Sequence, residues 1–303
     1  MNIDQLDIDW DYVIQRLDRV LELGEEYLTR RLSEYELDPT AFRHYLAFRW
    51  IQQNGGGGYL EEVAFPDLPD HDDLFGIDRI LQRLQRNTEQ FVHSYPANNV
   101  LLWGERGGGK SSAVKGLLKP FAPQGLRLVE VQKEDLFQLP QITALLREQP
   151  YRFILFCDDL SFDEQEPGYR ELKSLLDGGI EEPAANIRIY ATSNRRHLRP
   201  ERLTDNSNAE EIYPEEAVAE KLALADRFGI SLCFYPMSQQ TYLQIVDHLA
   251  RQRRLIIEGD ELNRAALRWA LERGSRSGRV ARQFIDDLSG CMAMAGKIAP
   301  ISS

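Results

Sequence analysis

The chain has 303 residues, 43% of them hydrophobic, with 36 basic and 48 acidic side chains and a formal net charge of -12. That length predicts about two domains, and the apolar content is enough for a sizeable core, which excludes wholesale disorder. The acid excess argues against a protein that coats DNA, RNA or anionic lipid.

Residues 1–73 read as an acidic helical module. Its opening, Met1-Asn2-Ile3-Asp4, has no basic stretch and no apolar core, so no export signal is expected. Val13, Leu17, Val20, Leu21 and Leu28 recur near a 3.6-residue period and predict a helix. Asp38-Pro39-Thr40 ends it and begins another, with Phe42, Tyr45, Leu46 and Trp50 as its apolar face. Gly55 to Gly58 and the acidic stretch Phe65 to Asp70 read as a linker.

Residues 74–236 alternate strand-like and helical runs. The strands are Val100 to Trp103, Leu126 to Val131, Phe153 to Cys157, Ile187 to Thr192 and Ser231 to Phe234. This alternation predicts an α/β domain, a five-stranded parallel sheet with helices on both faces. Residues 237–303 show no strand signal and predict a small helical module, with helices over Tyr242 to Arg254, Leu262 to Arg273 and from about Gly278. No apolar run approaches the roughly 20 residues of a membrane helix. Cys157, Cys233 and Cys291 are widely separated and odd in number, and the histidines lack paired ligand spacing. Neither a disulfide framework nor a structural metal is expected, and the simplest setting is a reducing cytoplasm.

The sharpest signal is Gly104-Glu105-Arg106-Gly107-Gly108-Gly109-Lys110-Ser111, which fits GxxxxGK[ST] between a strand and a helix that begins with Ser112. Glycines let backbone N–H groups turn inward on phosphate oxygens, and a helix N-terminus adds its dipole. Lys110 would reach the terminal phosphates, and the Ser111 hydroxyl would ligate magnesium. A second signal is Phe153 to Asp159, a hydrophobic strand ending in two carboxylates. Asp158 would hold magnesium, while Asp159 would polarise the attacking water. Three further positions are polar. Asn194 ends the Ile187 strand, Arg227 lies in Asp226-Arg227-Phe228-Gly229 before the last strand, and Arg279 stands at the start of the final helix, with Arg282 on the same face. Taken alone, Arg227 is read as a surface ion pair with Asp226, and Arg279 and Arg282 as solvated surface charges.

Together, in this order, these features resemble the AAA+ ATPases. Leu224 to Ile230 and Gly278 to Ala281 are similar to parts of the RuvB-type Holliday-junction motors. A closer resemblance is to a bacterial AAA+ family described only as a domain of unknown function (family eight-fifteen). It rests on Lys110 to Ser112, Phe156 to Phe162, Tyr190 to Leu198 and Arg276 to Arg279, and spans roughly Leu74 to Leu288. The resemblance implies an ATPase using ATP and Mg2+, in which the helical module of residues 237–303 is a lid, Asn194 is sensor 1 and Arg279 is sensor 2. It makes Arg227 an arginine finger reaching a neighbouring subunit, hence a ring or helical oligomer. Gly76 and Ile77 match the segment near adenine, and Asn99 is a family-like position without a derived role.

Two departures stand out. Asp159 occupies a place where most AAA+ motors carry Glu, which implies slow hydrolysis; Glu164 and Glu166 are weaker candidates for the same task. Gly108 stands where many P-loops carry Thr or Val, which should loosen the loop. In the connection Gln132 to Pro140, Phe137 is read as core packing ahead of pore gripping. Arg195, Arg196 and Arg199 are read as solvent or subunit contacts ahead of DNA contacts. The leading expectation is ATP hydrolysis coupled to remodelling of a partner, and the alternative is an ATP-dependent assembly switch or loader. Residues 1–73 hold 6 basic and 17 acidic side chains and residues 74–303 hold 30 and 31, so nearly all the acid excess lies in the N-terminal module. That marks the module as a candidate site for a protein partner, with a plain soluble helical cap as the equal alternative. It also weakens the argument against nucleic acid, which is nevertheless not indicated.

Overall fold

A computed structural model describes residues 10–33, 39–53, 57–161, 167–177, 182–194 and 225–295. Its centre is a seven-stranded sheet, β1 (Ala47–Gln52), β2 (Gly58–Glu62), β3 (Val100–Gly104), β4 (Leu126–Glu130), β5 (Arg152–Cys157), β6 (Ile187–Ser193) and β7 (Ile230–Phe234), in the order β2-β1-β4-β5-β6-β3-β7. The pairs β1–β4, β4–β5, β5–β6, β6–β3 and β3–β7 are parallel, and only β1–β2 is antiparallel.

The five predicted strands are all present, but the sheet has two more. The segment read as a helix with Tyr45, Leu46 and Trp50 on one face instead runs as β1, and the glycine run joins it to β2. The cause is a period of two. Phe48 and Trp50 are buried side by side on one face of β1, while Arg49 between them donates to Glu130 of β4 and also lies near Glu61 of β2. Only Phe42 of the predicted face stays helical and buried, in the four-residue helix α2 (Ala41–His44). The hairpin covers the edge that β4 would otherwise expose. Residues 41–62, read as part of the separate N-terminal module, thereby belong to the central sheet and its core.

Neighbouring residues on the central strands face opposite layers, as buried parallel strands require. Val129, Phe153 and Leu155 face one cluster with Phe42, Phe48 and Trp50, which α6 (Leu139–Arg147) covers through Leu139, Ile142 and Leu146. Leu128, Ile154 and Phe156 face the other, which α3 (Asp78–Val92), α4 (Lys110–Lys115) and α5 (Leu118–Phe121) close with Leu84, Val114 and Leu118. α7 (Pro167–Asp177) lies between β5 and β6 in sequence. The lid is a separate cluster of α8 (Gln239–Gln252), α9 (Gly259–Glu272) and α10 (Gly278–Met294), centred on Tyr242, Ala266 and Phe284.

The predicted first helix is α1 (Trp10–Ser33). Those of its apolar residues whose burial is described are open rather than packed: Leu17, Val20 and Leu21 are 56%, 64% and 62% exposed. Phe137 is a correction. It sits in a 3-10 turn, Lys133–Gln138, and is 42% exposed, because its neighbour Leu136 takes the core position. Asn99 gains a structural task, since its side chain accepts the Ile189 N–H at 2.9 Å and its carbonyl accepts that of Ile230, tying β6 and β7 to the start of β3. None of the described helices is long and apolar enough to cross a membrane.

Candidate functional site

In a parallel sheet every strand ends on the same edge, so the loops after β3, β5 and β6 converge. The loop after β3 is the glycine-rich one. Gly104 has φ 125°, and a Cβ there would lie 2.1 Å from the Phe234 carbonyl oxygen, so only glycine lets β3 and β7 close at this point. Gly107 has φ 72°, and its carbonyl accepts the Gly278 N–H at 3.2 Å, which brings the lid onto the loop. Gly108 has ordinary backbone angles, yet a Cβ there would stand 3.2 Å from the Glu105 carbonyl.

Lys110 is the first residue of α4 and is 7% exposed. Its Nζ donates to the carbonyls of Gly104 and Glu105, both at 2.9 Å, and to Asn194 Oδ1 at 3.1 Å. Burial lowers the pKa of this ammonium, against the opposing pull of Asp159, Asp158 and Glu105. The adjacent Ser111 donates to Asp158 Oδ1 at 2.7 Å. A hydroxyl and a carboxylate at this distance are hard oxygen donors of the kind magnesium takes, so the residues present fit that ion.

Asp158 and Asp159 follow β5 directly. Asp159 has φ 51°, and its carboxylate accepts from Asn194 Nδ2. Asn194 therefore touches both Lys110 and Asp159. Burial, with the charge of Asp158 second, pushes the thiol of Cys157 just before them up to about 12. Lys110, Ser111, Asp158, Asp159 and Asn194 line a cleft of about 890 Å³ between the sheet edge and the lid.

The structure brings together most of the predicted residues. Arg106, Gly107, Gly108, Gly109, Lys110, Ser111, Ser112, Asp158, Asp159, Asn194, Ile77 and Arg279 all line the cleft. Gly104 and Glu105 contribute the carbonyls that hold Lys110. Gly76, with φ 76°, packs on Thr241 of α8 and does not line the cleft. Arg227 is elsewhere. It precedes β7, at the opposite edge of the parallel sheet, and its Nε donates to Asp177 at the end of α7. Glu164, Glu166, Arg195, Arg196 and Arg199 lie outside the described residues.

Sequence reasoning missed several residues of the cleft. Arg253 lines it from the lid, as does Arg282, which the sequence placed on one face with Arg279 but read as a solvated charge. Asp73 accepts from Gln252 Nε2 at 3.0 Å and faces His248 Nε2 at 2.7 Å, pinning the segment before α3 to α8. Thr192, on β6, contacts both Asp158 and Asp159. Its signal was the strand order: once β5 and β6 are neighbours and Cys157 faces Ala191, the next residues, Asp158 and Thr192, must meet.

The fold is that of the AAA+ ATPases. Thermotoga maritima RuvB, a Holliday junction branch migration motor, is 15% identical with a TM-score of 0.51, the match covering 75% of this chain and 66% of that one. A mutant of the same motor gives 16% identity and a TM-score of 0.53, with coverages of 75% and 67%. Aeropyrum pernix ORC1, solved in complex with DNA, gives 14% identity and a TM-score of 0.51, with coverages of 79% and 64%. This chain thus spans about two thirds of the length of each of these proteins. It belongs to the family described as "Protein of unknown function (DUF815)", which matches residues 43–292. No curated protein sequence matches it.

Proposed function

We propose that this protein binds ATP with magnesium in the cleft and hydrolyses it, in a cycle that remodels a partner. One observation carries this reading: the unbroken chain of contacts Ser111–Asp158–Thr192–Asp159–Asn194–Lys110 along a single sheet edge. Ser111 and Asp158 would hold the metal, which when bound neutralises charge developing on the phosphates. Residues 104–112 would wrap the phosphates with backbone N–H groups, and Lys110 would turn from its own loop to the terminal phosphate. Asp159 would hold the attacking water and take up its proton, with Asn194 fixing the carboxylate. Arg279 would close the lid on the terminal phosphate, and Ile77 would lie against the base, with Gly76 shaping the turn before it.

Arg227 would serve the cleft of a neighbouring subunit as an arginine finger. Its place on the far edge of the sheet supports a role between subunits, since it cannot reach its own cleft. Self-association into a ring or helical oligomer follows. The acidic N-terminal module, with the open apolar stripe of α1, would bind a protein partner. A second reading, an ATP-dependent assembly switch that turns over little, is favoured by Asp159, one methylene shorter than the usual Glu. The test is phosphate release by the full-length protein and by Lys110→Ala. Release by wild type that this substitution abolishes is expected; equal rates refute hydrolysis at this cleft. Tight ATP binding and ATP-dependent oligomers without turnover would select the switch.

A further inference from the structure

We propose that Thr192 is a positioning residue that sets both carboxylates of the Asp158-Asp159 pair for their work, an inference that rests on the magnesium–ATP reading above. Thr192 is the sixth residue of β6 and is 1% exposed. A hydroxyl buried in a strand is costly unless it is partnered, and valine would fill the same space without that cost. The partners explain its presence. Thr192 Oγ1 donates to Asp158 Oδ1 at 2.5 Å and accepts the Asp159 N–H at 2.8 Å. A hydroxyl has one proton to give, so these two contacts fix its direction: the amide must donate to it, and it must donate to the carboxylate.

The consequences differ for the two acids. Asp158 Oδ1 receives the hydroxyls of Ser111 and Thr192 together, so the carboxylate proposed to hold magnesium is aimed at once from the first turn of α4 and from the end of β6. Groups that orient a metal's ligand in this way act on the metal without touching it. Asp159 is held at φ 51°, a backbone conformation that L-residues rarely adopt. Thr192 grips that turn twice, through its hydroxyl at the Asp159 N–H and through its carbonyl, which accepts the Leu160 N–H at 2.7 Å. Ser193 Oγ donates to the Leu160 carbonyl at 2.7 Å and closes the turn. The turn is what carries the short Asp159 side chain onto Asn194, and through it to Lys110.

The test measures the affinity of the full-length protein for a fluorescent ATP analogue, with magnesium and with EDTA, beside turnover and circular dichroism. Thr192→Val keeps shape and removes the hydroxyl; Thr192→Ser keeps the hydroxyl. In wild type, magnesium should tighten binding. In Thr192→Val, affinity in EDTA should stay within about twofold, while the magnesium-dependent gain falls roughly 10- to 100-fold and kcat falls with it. Thr192→Ser should restore both to within about threefold of wild type, a rescue that tracks the hydroxyl. An unchanged magnesium gain in a folded Thr192→Val protein would overturn the inference and leave the ATP reading standing. So would a loss in Thr192→Val that Thr192→Ser fails to repair, since that pattern reports strand packing alone. Failure of wild type to bind the analogue in either condition would remove the ATP reading, and the role of Thr192 with it.

Discussion

Replacing Arg227 with alanine separates an arginine that completes a neighbour's site from one that merely stabilises its own fold. In one protomer Arg227 pairs with Asp177, the two side chains being 25% and 42% exposed. A pair this open contributes about 0–1 kcal/mol after screening, so giving it up costs at most a factor of about five. Arg227→Ala should therefore leave the unfolding midpoint and ATP affinity nearly unchanged. A finger that stabilises charge between the phosphates is worth far more, on the order of a thousandfold or greater in kcat. Asp177→Asn should alter neither stability nor turnover by more than about fivefold, because it removes only the pairing within the protomer. The decisive assay mixes two inactive proteins, Arg227→Ala and Lys110→Ala, and measures phosphate release. Each supplies what the other lacks if the finger works across the interface. With random mixing and independent sites, about a quarter of the interfaces join an intact loop to an intact arginine, and activity should return to about that fraction of wild type. No recovery from the mixture, or a loss of turnover that only follows a fall in the unfolding midpoint, would refute the assignment.

Deleting residues 1–39 should leave the unfolding midpoint unchanged, because the apolar residues of α1 whose burial is described are exposed, whereas deleting residues 1–73 should prevent folding by removing β1 and β2; thermal melts of the two truncations check this. Trp50→Ala should destabilise the protein by about 3–5 kcal/mol in urea titrations, the range for a fully buried aromatic in a core. Asp159→Glu should lower the rate of phosphate release rather than raise it, since Glu is less at ease than Asp at the positive φ of this turn. Cys157 is pushed up to about 12 from an ordinary 9.0, and Tyr190 to about 12 from 10.0, so both stay protonated in the folded chain at pH values where the unfolded chain releases the proton. Stability from these groups is complete below about pH 9 and falls above it by about 1.4 kcal/mol per pH unit for each released proton. Cys157→Ala should flatten that fall between about pH 9 and 10 in urea titrations, where the thiol alone contributes.

The cleft was legible because its chemistry is local in sequence. A loop proposed to wrap phosphate with backbone N–H groups must be contiguous, as Gly104 to Ser111 is, and Asp158-Asp159 must follow a strand to reach the same edge. A reader of the chain can therefore find them before knowing how the strands are ordered. Thr192 was not legible by that route, because its meaning lies in a neighbour 34 residues away in the chain. Only the parallel pairing of β5 with β6, which sets Cys157 against Ala191, turns a threonine in a hydrophobic strand into a contact of two carboxylates. The same difference explains the hairpin. Phe42, Tyr45, Leu46 and Trp50 fit a helical period, while Phe48 and Trp50 fit a strand period, and a short segment cannot decide between them. The edge of β4 decides. A strand there satisfies the open backbone of Leu128 and Glu130 while packing Phe48 on Phe42, which packs in turn on Phe153, and burying Trp50 in the same cluster, and no helix can satisfy that backbone. Arg227 marks the complementary limit. Its position before β7 follows from sequence, but its distance from the cleft appears only when the strands are parallel and the edges opposite. That distance, beside the ion pair with Asp177, is why the task proposed for it belongs to another copy of the chain.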